Sequence, residues 1–163
     1  FSHKGTMEKY IGDAVLATFG GLDGGPDDAT RALGCAIALR RAMSKLNRKR
    51  RARGSHALTL AIGLHYGPTV SGVIGEGRNM AFVVTGAAVA IANRVQAEAR
   101  RLDADIVLSD AFAARCKNEV GCEDRMKDFQ LEPACRLKGL SQPVSLWYRP
   151  RPKSAATAST PVT

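Results

Sequence analysis

Two apolar runs separated by Gly-Asp leave few options for residues 6–20, TMEKYIGDAVLATFG. Glycine accepts positive φ and the short acid suits turns. Tyr10-Ile11, Gly12-Asp13 and residues 14–19 therefore predict strand, tight turn, strand. The turn leaves Asp13 at a strand end, where a carboxylate can reach a metal ion. Lys9 lies upstream on the same arm. A cation that seeks anions, close to a carboxylate that seeks a metal, suits a nucleotide with its Mg2+. On spacing alone the competing reading is a surface hairpin with a turn aspartate and a solvated lysine.

Downstream, GGLDGGP at 20–26 is a flexible loop, and Asp27 and Asp28 supply acidic residues for a helix start. From Ala29, apolar positions at Leu33, Ala36, Ile37, Leu39, Met43 and Leu46 recur at helical spacing and end in a basic run, KLNRKRRAR at 45–53. Residues 57–66 alternate, with Leu58, Leu60, Ile62, Leu64 and Tyr66 on one face, which predicts a strand. His65 falls on the other face and is assigned a structural role. Extended chain follows at 69–74, a turn at 75–79, a short strand at 80–84, and an Ala-rich helix from Gly86 to about Leu102. Residues 105–109 predict a strand, and Ser109 or Asp110 a cap for a helix at 111–117. Residues 116–125 are expected to be loop, and 129–140 with 143–147 a closing hairpin around Lys138-Gly139. From Arg149 the chain lacks periodicity, so 150–163 is expected to be a disordered tail. The order strand, strand, helix, strand, strand, helix, strand, helix, hairpin implies one α+β domain over 1–149, with helices on one sheet face.

The chain has 163 residues, enough for one domain with a sizeable core, and shows no apolar run that would span a bilayer. Its net charge of +9 raises nucleic acid, anionic lipid or a polyphosphate as partners. Aromatics are only 6%, and Phe19, Tyr66 and Phe82 are expected on core faces, which argues against an RNA-binding sheet. Run 45–53 reads first as a solvated helix end, with a membrane surface as its other reading. Cys35, Cys116, Cys122 and Cys135 form no Cys-x-x-Cys pair. With no secretion signal they are expected as reduced cytosolic thiols, and zinc is not expected.

KYIGDAVLATFG resembles the metal-binding hairpin of class III adenylate/guanylate cyclase catalytic domains. LAIGLHYGPTVSGVIG, AFVVTGAAVAIANRVQ, IVLSD and RLKGLSQPVSLWY resemble further segments of that family, in the same order, so the resemblance covers about 5–148. It implies a ferredoxin-like α/β sandwich that pairs as a homodimer or with another cyclase domain, with sites built across the interface. The implied reaction is cyclisation of ATP to cyclic AMP and pyrophosphate at a two-metal site for Mg2+ or Mn2+, one of whose ligands is missing from these residues. A cytoplasmic setting, or the cytoplasmic side of a membrane in a longer protein with an upstream regulatory domain, goes with it.

By the same resemblance Asp13 is one of two metal aspartates, with the Ile11 backbone carbonyl beside it. The other aspartate belongs to a strand expected before Phe1. Lys9 matches the base-reading lysine of adenylate cyclases, Arg94 the transition-state arginine, and Lys138 the lysine that contacts the terminal phosphates. Two positions depart from the pattern. Val83 stands where an Asp or Thr partners the base, with Thr85 two residues on along the same strand face. Ala90 stands where an Asn orients the ribose. These departures support a rival reading, a degenerate cyclase domain that binds nucleotide or only dimerises.

Overall fold

The computed structural model describes residues 2–21, 24–77 and 80–152. Its elements are β1 (Thr6–Ile11), β2 (Ala14–Thr18), α1 (Asp28–Ala52), β3 (Ile62–Leu64), β4 (Val70–Ile74), β5 (Ala81–Thr85), α2 (Ala87–Ala97), β6 (Ala104–Ser109), α3 (Asp110–Lys117), α4 (Cys122–Arg125), β7 (Gln130–Cys135) and β8 (Val144–Pro150). Residues 153–163 of the tail expected over 150–163, and the turn residues 78–79, lie outside the described residues. No described helix is long and apolar enough to cross a membrane.

The centre is a four-stranded sheet in the order β3-β6-β8-β7. β3 runs parallel to β6, and the other two pairings are antiparallel. Every residue of β6 is buried, as expected of a strand covered on both faces. Ile106 and Leu108 point into a core formed with α1, α3 and α4, where Leu33 and Phe112 meet them. Val107 points the other way, into a second core with Val95 and Ala99 from α2 and its following turn. Helices therefore cover both sheet faces, not one as the element order suggested. Ala104 joins Val107 in the second core because a bulge between Ala104 and Ile106 shifts the alternation.

β1-β2 and β4-β5 are separate two-stranded hairpins. The residues at 57–61 do not join the sheet, although their alternation predicts strand. Asn47 takes both backbone groups of Leu58, donating to its carbonyl and accepting from its N–H, each at 2.8 Å. Tyr66 and Phe82, expected in the core, are 45% and 52% exposed. Tyr66 lies beyond the end of β3, and Phe82 sits on the β4-β5 hairpin. At the other end of the chain β8 carries order through Pro150. Arg151 is fastened beyond it, its N–H donating to the Asp103 carbonyl at 2.8 Å and its guanidinium to the Leu60 carbonyl at 3.3 Å.

Residues 116–125 are not simple loop. α3 ends and α4 begins so that Cys116 and Cys122 come within 5.2 Å, Cα to Cα, and they form a disulfide, a separation suited to one. This departs from the expectation of four free thiols; Cys35 and Cys135 are free. The ring closed by the disulfide holds Glu119, whose side chain is almost wholly buried. Its carboxylate accepts from the N–H groups of Ala29 and Thr30, the Thr30 hydroxyl and the Arg115 guanidinium. It therefore caps α1 from a distant part of the chain, satisfying donors that a helix start leaves orphaned. Burial pushes its pKa up, but the hydrogen bonds from Thr30, Ala29 and Arg115 outweigh that and hold it below the ordinary 4.5.

Two outcomes follow for stability. Reducing the disulfide frees a short loop, which costs about 2 kcal/mol on loop-entropy grounds; urea unfolding with and without a dithiol reductant reads this directly. Because the folded pKa of Glu119 lies below its unfolded value, its contribution is present above the unfolded pKa and is lost as pH falls through the folded one. Glu119→Gln is expected to flatten the loss of stability below about pH 4.5, as measured by urea midpoints across the acid range.

Candidate active site

Gly12, at φ +62°, makes the turn that joins β1 to β2 and leaves Asp13 exposed at its tip. Ile11 pairs with Ala14 across the turn and is itself exposed. A bulge between Met7 and Lys9 inserts Glu8 as an extra residue, so Lys9 pairs with Leu16. The bulge re-phases the arm by one residue. Glu8 bonds the Thr18 hydroxyl across the hairpin, and Lys9 is exposed. The root of the hairpin is tied to α1 through Arg31. Its guanidinium donates to the Lys4 carbonyl at 2.7 Å and pairs with Asp27 and Asp28. Asp28 in turn accepts from the Gly25 N–H at 2.8 Å. The Glu119 cap, the start of α1 and the hairpin thus form one connected scaffold.

Arg94 lies in the last turn of α2 and is half-buried. Its height over the sheet is set at Gly63 of β3, where an added Cβ would fall 2.5 Å from the Ala92 carbonyl. Helix and strand meet backbone to backbone there, which only glycine permits. The Arg94 guanidinium then rests on the loop between β7 and β8. A Cβ on Gly139 would lie 3.0 Å from its Nη2. Lys138 is the next residue, and is exposed. Among the described residues Arg94 makes no ion pair. The tertiary structure therefore sets Arg94 against the residue that follows Lys138, a pair of cations neither of which has an ion-pair partner among the described residues. Such a pair suits phosphoryl oxygens, which the planar guanidinium fork binds well.

Val83 is half-buried on β5 opposite Gly72, Thr85 is exposed at the strand end opposite Val70, and Ala90 is exposed on α2. Val83 and Ala90 carry no hydrogen-bonding side chain, while Thr85 presents a hydroxyl. His65 makes a structural contact at the start of α3 and also lines the groove beside the hairpin. Its Nδ1 lies 2.8 Å from the Ser109 hydroxyl, which also accepts from the Phe112 N–H to cap α3. Burial lowers its pKa. Between the hairpin and the sheet lies a groove of about 690 Å3, lined by β2, the glycine-rich loop, the end of β3 and the start of α2.

The donors suited to a metal are the Asp13 carboxylate and the Ile11 carbonyl, both hard oxygen ligands of the kind Mg2+ and Mn2+ take. Among the described residues no three His, Cys, Asp or Glu side chains come together. The chain's own residues thus fit one hard cation in donor type, with phosphate and water left to complete its shell. Gly63, Arg115 and Glu119 escaped the sequence reading, and Gly139 entered it only as a turn residue. Only Gly139 carried a signal, in the Leu-Lys-Gly turn.

The adenylate and guanylate cyclase catalytic domain family matches residues 2–141. The chain belongs to this family. It is 26% identical over 147 residues to an adenylate cyclase of Anabaena cylindrica, covering 88% of this chain and 28% of that protein. It is 27% identical over 119 residues to adenylate cyclase 1 of Rhizobium meliloti, covering 73% of this chain and 18% of that one. The chain therefore spans less than a third of the length of either. The crystal structure of the adenylyl cyclase CyaB from P. aeruginosa has the same fold, with a TM-score of 0.75 and 24% identity over 90% of this chain and 72% of that chain.

Gly139, at φ +76°, tests how Arg94 is held. Gly139→Ala is expected to cost about 1–2 kcal/mol, since a Cβ is strained there, and to displace the guanidinium. Gly139→Asn tolerates the backbone better but still crowds Arg94. Calorimetric titration with a nucleoside triphosphate should show both variants weakened, while urea unfolding shows the Asn variant the more stable of the two.

Proposed function

We propose that this domain cyclises ATP to cyclic AMP and pyrophosphate. The observation that carries the reading is the unpaired Arg94 guanidinium seated on the Lys138-Gly139 turn, because a half-buried cation without a carboxylate calls for an anionic ligand. The ribose 3′-oxygen attacks the α-phosphorus, a new P–O bond closes the ring, and the bond to the β-phosphate oxygen breaks. Arg94 holds the oxygens on which charge builds. Lys138 binds the terminal phosphates and so orients the leaving group. Lys9 donates to the adenine N1 acceptor; guanine presents an N–H there, which a lysine cannot accept. Asp13 and the Ile11 carbonyl would hold one Mg2+ or Mn2+, which when bound offsets phosphate charge.

The reading is completed by pairing, in which the hairpin of one protomer faces Arg94 and Lys138 of another. Two copies of this chain, or this chain and a related cyclase domain, would serve. A second metal carboxylate is expected on a strand seated in the groove between β2 and β3. Both flanking strands support that, since each pairs on one edge only among the described residues.

Val83 and Ala90 support a second reading, a regulatory module that binds nucleotide or dimerises without turnover. Loss of a ribose-orienting hydrogen bond lowers a rate by on the order of a hundredfold.

The 163 residues alone are expected to be inactive for want of the second carboxylate, so cyclic AMP quantified after incubation of the full-length protein with ATP and Mg2+ or Mn2+ separates the two. Asp13→Ala and Arg94→Ala are each expected to lower kcat by about a hundredfold or more, and Arg94→Lys does not restore it. Lys9→Glu is expected to lower kcat/KM for ATP while raising it for GTP. A folded, dimeric protein that binds ATP yet forms no product supports the regulatory reading. Absence of nucleotide binding overturns both.

A further inference from the structure

The C-terminal half of α1 carries a charge that the proposed site does not use. Arg41, Lys45, Arg48, Lys49 and Arg51, with Arg53 just past the helix end, are all exposed. Spacings of three, four and seven place Arg41, Lys45, Arg48 and Lys49 on one outward side of the helix. The inward-turned neighbours are satisfied: Arg40 pairs with Asp105 at 2.5 Å, Asn47 clasps Leu58, and Arg50 donates to the His56 carbonyl at 2.8 Å. None of the six outward cations has an ion-pair partner among the described residues. The sequence itself has no acidic residue between Asp28 and Glu76. Arg41 with Lys45, and Lys45 with Lys49, are like charges four apart, which weakens a helix. The helix nevertheless continues to Ala52.

Apolar side chains border this face. Leu39 and Leu46, seven residues apart and so on one flank, are 51% and 43% exposed. Leu58 is 45% exposed and is fastened to the same helix by Asn47.

We propose that this face of α1 docks on an anionic lipid bilayer, with the cations against the headgroups and Leu39, Leu46 and Leu58 at the acyl boundary. Clustered cations beside exposed leucines match what a helix lying in such an interface needs. A nucleic acid fits less well. No Phe, Tyr or Trp occurs from residue 28 to 60 to stack on bases, and leucines gain nothing against a phosphodiester backbone. The contact is peripheral, since no described helix can span a bilayer. It does not depend on the catalytic reading.

Co-sedimentation of the full chain with phosphatidylcholine vesicles, with and without about a third phosphatidylserine, is the test. Retention on the anionic vesicles only, and release at high salt, is the expected result. Exchanging Arg41, Lys45, Arg48 and Lys49 together for Gln, a good helix former, should lower partitioning by up to about a thousandfold. Circular dichroism checks that α1 survives, and the salt titration of the unaltered chain remains decisive if it does not. Leu39→Ser with Leu46→Ser should weaken binding several-fold at constant charge. Equal retention on neutral vesicles, no retention at all, or release of the protein from anionic vesicles by an equal phosphate concentration of RNA would overturn the proposal.

Discussion

Strand β6 has no solvent-facing side, and the rest of the domain is arranged by that fact. Ile106 and Leu108 must be covered on one face and Val107 on the other. Each such side chain is stabilised by roughly 1.5–3 kcal/mol on burial. Two cores result, one closed by α1, α3 and α4, the other by α2. Each core carries part of the candidate site. The first orients the start of α1, to which the hairpin bearing Asp13 is tied. The second orients α2 and with it Arg94. The two parts of the site are thus set by opposite faces of one sheet.

Charge is placed with equal economy. Glu119 is buried, and four donors satisfy its carboxylate where it closes the end of α1. Arg94 has the opposite character: a half-buried guanidinium lying against backbone, with no carboxylate to neutralise it among the described residues. The first arrangement is complete within the fold and serves stability. The second is incomplete, and an incomplete cation next to Lys138 is what a phosphate-binding surface requires. The outer face of α1 is incomplete in the same sense, on a surface remote in sequence from Arg94 and Lys138.

How far the sequence could be read depended on whether the deciding contacts were local. The Gly12-Asp13 turn, α1, α2 and β6 were legible because glycine at a turn, helical periodicity and a continuous apolar run act within a few residues. The strand expected over 57–66 shrank to β3 because Asn47, eleven residues upstream, captures the backbone of Leu58. Tyr66 and Phe82 alternate like core residues but lie where nothing covers them. Lys9, Asp13, Arg94 and Lys138 could be named from motif resemblance. That Arg94 rests on the Lys138-Gly139 turn could not, because the two are 44 residues apart and meet only after α2 has packed on Gly63.

By itself the sequence determined most of the elements, the α+β class, the family and the residue types suited to a triphosphate, since these rest on local backbone preference and on patterns of side chains along the chain. Only the tertiary structure decided that helices cover both sheet faces, that Cys116 and Cys122 join, that Glu119 caps a helix far upstream, and that Arg94 lies against the Lys138-Gly139 turn. Those outcomes depend on which surfaces exclude water together, and that is fixed only when distant segments are packed.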